Sequence, residues 1–423
     1  MLEYAGICLV ATSAQCVLFR LSFVPSVLSD GVDQRHLPSD NSQAIPGALL
    51  SRFLRDEIPI SIRPSVLFCD CGMAATFKAP QLTAPGAPFA TVDKSVEAPP
   101  AGKVRVKVHA CGVCHGDVVA KFGLLGTTFP RVPGHEIAGV VDAVGAAVDG
   151  AATGGARPQW KIGDRVGLGW FGGCCGACRS CREGDLICCD HLEITGAHLD
   201  GGYQPFVTVA ANALAKIPDQ LTFMEAAPLM CAGLTVFNSL RHAGASPGAT
   251  VGVQGLGGLG HLAVQYASKM GYEVVVFSRG PSKEAEARRL GAQHYVDTTE
   301  EGFQEKVQAR GGIKVLLATA PSASAMTAVL PTLGKAGVLV LLGVGGHDDC
   351  TVRVDPGFLI AGRRTVMGFP SGQPSDAEDA LQFAARHGIR PINEVFPASQ
   401  ASEAFDRMMS KQAIFRVVLD HAA

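Results

Sequence analysis

The sixteen residues Cys174-Cys175-Gly176-Ala177-Cys178-Arg179-Ser180-Cys181-Arg182-Glu183-Gly184-Asp185-Leu186-Ile187-Cys188-Cys189 constrain this chain more than any other stretch. They hold six of its 14 cysteines. Cys175, Cys178, Cys181 and Cys189 read as C-x2-C-x2-C-x7-C. Two short steps turn successive thiolates back onto one ion, and the longer arm brings in the fourth corner of a tetrahedron. A structural zinc takes a closed shell of four ligands, and four thiolates make one such shell. Steps this short crowd the sulfurs too closely for independent disulfides. Cys174 and Cys188 each adjoin a proposed ligand, so a one-residue slip at either end stays open, although Cys175 and Cys189 keep the cleaner spacing.

A metal lobe in a chain of 423 residues, 47% hydrophobic and 17% charged, points to an α/β protein of two or more domains. Net charge near −2 gives no electrostatic basis for holding nucleic acid or an anionic membrane. No apolar run reaches the roughly 18 to 20 residues that span a bilayer, so no membrane partner is expected. Thiols spaced for a metal fit a reducing compartment, and the cytoplasm is the expected location. Residues 1–72 read differently: they hold no lysine, show no clear periodicity and carry scattered cysteines. They are expected to be an N-terminal extension, disordered, cleaved or an over-extended start. A mitochondrial targeting role is the sharper alternative. Met73 begins a tidier start.

From Lys103 the pattern becomes that of a half-buried strand, with Val104, Val106 and Val108 alternating with Arg105, Lys107 and His109. The strand runs into Cys111-Gly112-Val113-Cys114-His115-Gly116-Asp117. A second segment, Gly134-His135-Glu136, precedes the strand around Val140. A third, Met230-Cys231-Ala232, opens a helical stretch. Taken singly, each cysteine or histidine reads as a core residue. Together, Cys114, His135 and Cys231 supply two thiolates and one imidazole, the three protein ligands of a catalytic zinc that keeps one open position. Asp117 and Glu136 stand where carboxylates orient an imidazole or balance the ion's charge. Cys111 is the rival within its segment, but it belongs to the strand.

A second domain is announced by Gly255-Leu256-Gly257-Gly258-Leu259-Gly260. A strand, Ala249 to Gln254, precedes it, and an apolar-periodic helix follows. In that context Gly-x-Gly-x-x-Gly is a dinucleotide fingerprint. Gly255 makes the tight turn, Gly257 admits the pyrophosphate, and Gly260 lets helix pack on strand. Gly258 and Leu259 complete the turn, and the free N–H groups of the helix start face the phosphates. The next strand ends at Ser278-Arg279, without the acid that normally takes a ribose 2′-hydroxyl. With Lys283 nearby, this favours NADP over NAD. Apolar runs at 314–320 and 337–343 read as buried parallel strands.

The order Gly112-Val113-Cys114-His115-x-Asp117, Gly134-His135-Glu136, the four-cysteine lobe and the glycine turn resembles the zinc-containing medium-chain alcohol dehydrogenases, over about residues 78 to 420. Within that family the subgroup related to cinnamyl and yeast-type enzymes is the nearer likeness. The resemblance implies a Rossmann cofactor domain (232–368) inserted in a mainly β, GroES-like catalytic domain (73–231 and 369–423) carrying a structural zinc lobe (170–192). It also implies two zinc ions per chain, a nicotinamide cofactor, a primary alcohol or aldehyde as small-molecule partner, and a homodimer or homotetramer. Trp170 resembles an aromatic of the family's substrate pocket, though a core role is equally open. One departure stands out. The position two after Cys114 carries a proton-relaying hydroxyl in the family and is Gly116 here. A water chain or His115 would have to replace it. Otherwise turnover should be slow, and the alternative is a zinc- and NADP-binding regulatory protein of the same fold. A zinc-free reductase of this fold fits less well, because all three ligand positions are filled.

Overall fold

In the computed structural model the described residues are 11–12, 15–16, 75–146, 160–344 and 347–423. The chain divides into one unit of Met1–Met73 and another of Ala74–Ala423. Within the first, only a two-residue antiparallel pair, Ala11–Thr12 with Gln15–Cys16, is described. The expectations for residues 1–72 as a targeting or disordered segment otherwise lie outside the described residues.

The alternating valines do what their spacing dictates. In the strand Lys103–Val113, Val104, Val106 and Val108 are buried, while Lys107 is exposed. This strand is the centre of a seven-stranded sheet. Glu136–Val144 and Phe206–Ala210 pair with it antiparallel, and Arg165–Leu168 and Ala215–Lys216 extend the sheet on one side. On the other side the C-terminal strand Arg416–Asp420 pairs with it, followed by Asn393–Pro397. The chain therefore leaves this sheet after Lys216 and re-enters it at Asn393.

Between those points lies a six-stranded, all-parallel sheet. Its order is His294–Asp297, Glu273–Ser278, Thr250–Gln254, Ile313–Ala318, Leu333–Leu341, Thr365–Gly368. In chain order this is 3-2-1-4-5-6, the doubly wound dinucleotide-binding arrangement, whose switch point lies between strands 1 and 4. The strands are apolar almost throughout because helices cover both faces. The fold is thus α/β, with a Rossmann sheet set into a mainly β unit.

Two sequence expectations need correction. The fifth parallel strand begins at Leu333 rather than Gly337. Pro331 cannot continue an α-helix, so Ala323–Val329 gives way to the single 3-10 turn Leu330–Thr332 and the strand follows at once. Second, one helical run, Phe223–His242, is long and apolar enough to cross a membrane, although no such run was expected. It is 78% buried inside the protein, which is the condition of a core helix.

That run carries a local irregularity. Pro228 sits where the α-helix Phe223–Pro228 ends, and the chain passes through the π-turn Leu229–Gly233 before resuming α geometry at Leu234–His242. Cys231 lies within the π-turn, a kind of bulge that often marks functional positions.

Candidate metal centre and cofactor cleft

Cys114 ends the central strand as the N-cap of a short 3-10 turn, His115–Asp117. Its backbone N–H donates to Asp117 Oδ2 at 3.0 Å, and its sulfur accepts from Gly116 N at 3.3 Å. His135 follows Gly134, whose φ of +104° is open to glycine at little cost, and precedes the strand Glu136–Val144. Cys231 arrives from the π-turn. The three side chains converge: Cys114 Sγ and Cys231 Sγ are 4.0 Å apart, and His135 Nε2 is 3.3 Å from Cys231 Sγ. With Glu136, their ligand atoms all lie within 4.8 Å of one another. Zinc–ligand bonds of roughly 2.0 to 2.3 Å in tetrahedral array put sulfurs about 3.8 Å apart and nitrogen about 3.5 Å from sulfur. The donor set fits zinc in both kind and spacing.

The electrostatics agree. The Cys114 thiol is held well below its usual range, chiefly by the hydrogen bond from Cys231, against burial and with help from His135. Cys231 is pushed up by the same contact with Cys114 and by burial. Burial alone would lower His135, but Asp117 and Cys114 outweigh it and raise the imidazole.

Asp117 and Glu136 play different parts. Asp117 Oδ1 accepts from His135 Nδ1 at 2.8 Å, which leaves Nε2 free to ligate. Glu136 faces the cluster, and both its oxygens accept from one nitrogen, Arg416 Nη2. Burial pushes Glu136 up while Arg416 pulls it back. Burial also opposes the Arg416 charge, which Glu136, Cys114 and Cys231 more than restore. Arg416 was not singled out from sequence. The available signal was a lone cation in the buried strand Arg416–Asp420. Its Nε is buried without a hydrogen-bond partner among the described residues, and a Cβ on Gly258 of the glycine turn would stand 2.9 Å from its Nη1. It therefore bridges the metal cluster and the phosphate turn.

His115 is not part of the cluster. It is exposed, and among the described residues it makes none of the cluster's polar contacts. Gly116 has a steric reason of its own. A Cβ there would come 2.8 Å from His135 Cε1 and 3.3 Å from the Trp170 ring. Trp170 stands edge-on to His135, centroids 5.0 Å apart and planes at 87°.

In the lobe, Cys175, Cys178, Cys181 and Cys189 bring their sulfurs within 4.8 Å, with 3.6 Å between Cys175 and Cys189 and 3.9 Å between Cys178 and Cys189. Those separations match the tetrahedral spacing above. Cys188 is exposed, and neither it nor Cys174 joins the set, so the one-residue slip is not adopted.

At the glycine turn, Gly255 has φ +91° and Gly257 has open space where a Cβ would be. A Cβ on Gly260 would lie 1.9 Å from the Gly255 carbonyl oxygen, so the close approach there is of helix to turn rather than helix to strand. Leu259 caps the helix Gly260–Lys269, and Thr319 Oγ1, from the neighbouring strand end, donates to Gln254 O at 2.9 Å. The crevice beside this turn is the expected place for a dinucleotide, and Arg416 Nη1 lies against Gly258 there. Ser278 ends its strand half-buried, and Arg279 is exposed. Lys283 Nζ donates to Leu256 O at 2.9 Å, which ties it to the turn. The nearby acid Asp297 takes Gly280 N, Thr299 N and Thr299 Oγ1 on one oxygen.

Comparison with known proteins agrees with this arrangement. Residues 100–219 match the alcohol dehydrogenase GroES-like domain and residues 258–386 the zinc-binding dehydrogenase family. The alcohol dehydrogenase notN of an Aspergillus species (strain MF297-2) is 42% identical, over 79% of this chain and 95% of its own. A cinnamyl alcohol dehydrogenase of Sorghum bicolor superposes with a TM-score of 0.72 at 29% identity, covering 82% of this chain and 98% of its own. The Helicobacter pylori CAD complexed with NADP(H) gives 0.71 at 28% identity, over 83% and 99%. With both halves of the fold matched in order and a relative this similar aligned over nearly its full length, the chain belongs to the zinc-type medium-chain alcohol dehydrogenase family and acts as an NAD(P)-dependent alcohol dehydrogenase and aldehyde reductase.

Proposed function

We propose that the enzyme holds two zinc ions per chain, prefers NADP to NAD, and acts on primary alcohols and their aldehydes. Cys175, Cys178, Cys181 and Cys189 would hold the structural ion, and Cys114, His135 and Cys231 the catalytic one. When bound, the catalytic zinc supplies a Lewis acid for the substrate oxygen, and the nicotinamide gives or takes the hydride. The chain does the rest. Asp117 fixes the His135 tautomer, Glu136 and Arg416 balance charge beside the cluster, and Trp170 presents an aromatic edge beside His135.

The observation that carries the cofactor preference is the strand end Ser278-Arg279. It offers a hydroxyl and a cation, Lys283 stands against the phosphate turn, and Asp297 is engaged elsewhere. A 2′-phosphate would meet the Arg279 cation there, while Asp297, opposite Ser278 on the next strand, has one carboxylate oxygen already taken by three donors. A hydrogen bond to a charged group is worth about 1.5 to 3 kcal/mol, or roughly ten- to 150-fold. Catalytic efficiency with NADPH and NADH over a panel of aldehydes tests the reading. A preference for NADPH that collapses in Arg279→Asp supports it, and a clear NADH preference in the parent refutes it. A homodimer or homotetramer, a cytoplasmic location with residues 1–72 as the route to a mitochondrial one, and independence of membranes belong to the same proposal.

A further inference from the structure

Tyr203 is a large side chain, 1% exposed, with no place in the chemistry described so far. Its hydroxyl donates to Asp117 Oδ2 at 2.9 Å. The same oxygen takes the Cys114 backbone N–H at 3.0 Å, and the other oxygen takes His135 Nδ1 at 2.8 Å. One buried carboxylate therefore gathers three donors, two of them from ligand residues and the third from Tyr203. The tyrosine also grips the second ligand segment directly. Its backbone N–H donates to Pro133 O at 3.1 Å, and Gly202 N donates to Gly134 O at 2.8 Å. Its ring lies on Gly134, where a Cβ would come 2.5 Å from the ring carbon Cδ1. His421 Nε2 donates to the Gly202 carbonyl at 2.9 Å, a further tie on the same segment.

We propose that the Tyr203 hydroxyl is a positioning group for the three-ligand metal site, acting through Asp117 on both His135 and Cys114. The inference rests on the zinc reading of that site. A carboxylate in a water-free setting divides its charge among its donors. With the hydroxyl removed, one lone pair is left unmet, and a buried acceptor in that condition is costly. Asp117 then turns toward its remaining partners, which shifts the imidazole ring and the Cys114 turn together. Hydrogen bonds of this outer kind commonly alter metal affinity by roughly ten- to a hundred-fold when lost. The bland reading is that a buried tyrosine needs some acceptor and Asp117 is the nearest. The two differ in whether the effect passes through the carboxylate.

The experiment compares the full chain with Tyr203→Phe, Asp117→Asn and the double variant. Zinc release to a chromogenic chelator is followed in each, together with the visible spectrum of the cobalt-substituted proteins. In Tyr203→Phe, release from the three-ligand site is expected to quicken by roughly ten-fold or more. Release from the four-thiolate lobe should stay unchanged, which doubles as the check on folding. The cobalt bands should shift. In the Asp117→Asn background Tyr203→Phe should have a much smaller effect, because a neutral amide with one acceptor oxygen replaces the carboxylate that carries it. An equal effect of Tyr203→Phe in both backgrounds, or an unchanged release rate and spectrum in a folded variant, overturns the proposal. A parent protein that binds metal only at the lobe fails at an earlier point: the zinc reading falls first and this inference with it.

Discussion

His261 stands at the joint between the cofactor-binding helix and the strands that return to the catalytic unit. Its Nδ1 donates to Gly257 O at 3.1 Å, its Nε2 accepts from Ile392 N at 3.3 Å, and its ring stacks on Phe415 with centroids 4.6 Å apart. The neutral ring satisfies both contacts, whereas a second proton would put two N–H groups face to face at Ile392. Burial, with the nearby Arg416 charge, pushes the imidazole from 6.5 down to about 3. The folded state therefore binds this proton more weakly than the unfolded chain does. The stability it contributes is complete above pH 6.5 and is lost as pH falls from there toward 3. At pH 5 the linkage cost is 1.5 pH units at 1.36 kcal/mol each, about 2 kcal/mol. His421, pushed down to about 4 mainly by burial, adds about 2 kcal/mol over the same interval. Together these take a large share of the roughly 5 to 15 kcal/mol that holds a domain folded. The assay is urea unfolding at pH 7.5 and pH 5, with zinc in equal excess, for the parent and His261→Asn. Groups common to both chains cancel in the double difference. The parent should lose about 2 kcal/mol more than the variant on acidification. An equal loss in the two proteins refutes the reasoning.

Gly116→Ala should slow aldehyde reduction, because the added Cβ meets His135 at 2.8 Å and Trp170 at 3.3 Å. Gly116→Ser carries the same crowding plus a hydroxyl, so it should exceed Gly116→Ala by about ten-fold or more at neutral pH if proton transfer limits turnover. Equal rates for the two variants would mean that a hydroxyl at this position moves no proton. Arg416→Met leaves the Glu136 carboxylate buried beside two thiols without its partner, and urea unfolding should show a loss of about 3 to 5 kcal/mol. Adding Glu136→Gln should recover much of it, and an undiminished loss in the double variant contradicts the pairing.

The local parts of this molecule were legible because their chemistry is written in short spacings. The lobe cysteines lie within fifteen residues of one another, the glycine turn within six, and the valines of the strand Lys103–Val113 alternate as a half-buried strand must. The parts carried by long-range contact were not. Arg416 meets Glu136 across 280 positions and Tyr203 meets Asp117 across 86, and nothing near either residue in sequence names its partner. Where His115 points was not legible either, because adjacency to Cys114 says nothing of direction: the turn that buries Cys114 and Asp117 exposes His115 and keeps it out of the ligand cluster. Gly116 was read as a missing hydroxyl, but the space it leaves to the His135 ring is visible only in three dimensions. The helical run Phe223–His242 escaped notice as an apolar span because Glu225, Pro228 and Gly233 break its pattern, yet Pro228 closes the α-helix and the π-turn that holds Gly233 carries the run on.

Anomalous scattering at the zinc edge from crystals of the full chain addresses the ligand assignment without recourse to activity. Two peaks should emerge, one among the four lobe sulfurs and one enclosed by Cys114, His135 and Cys231. A peak at the lobe alone, from protein purified and crystallised with zinc present, would contradict the account.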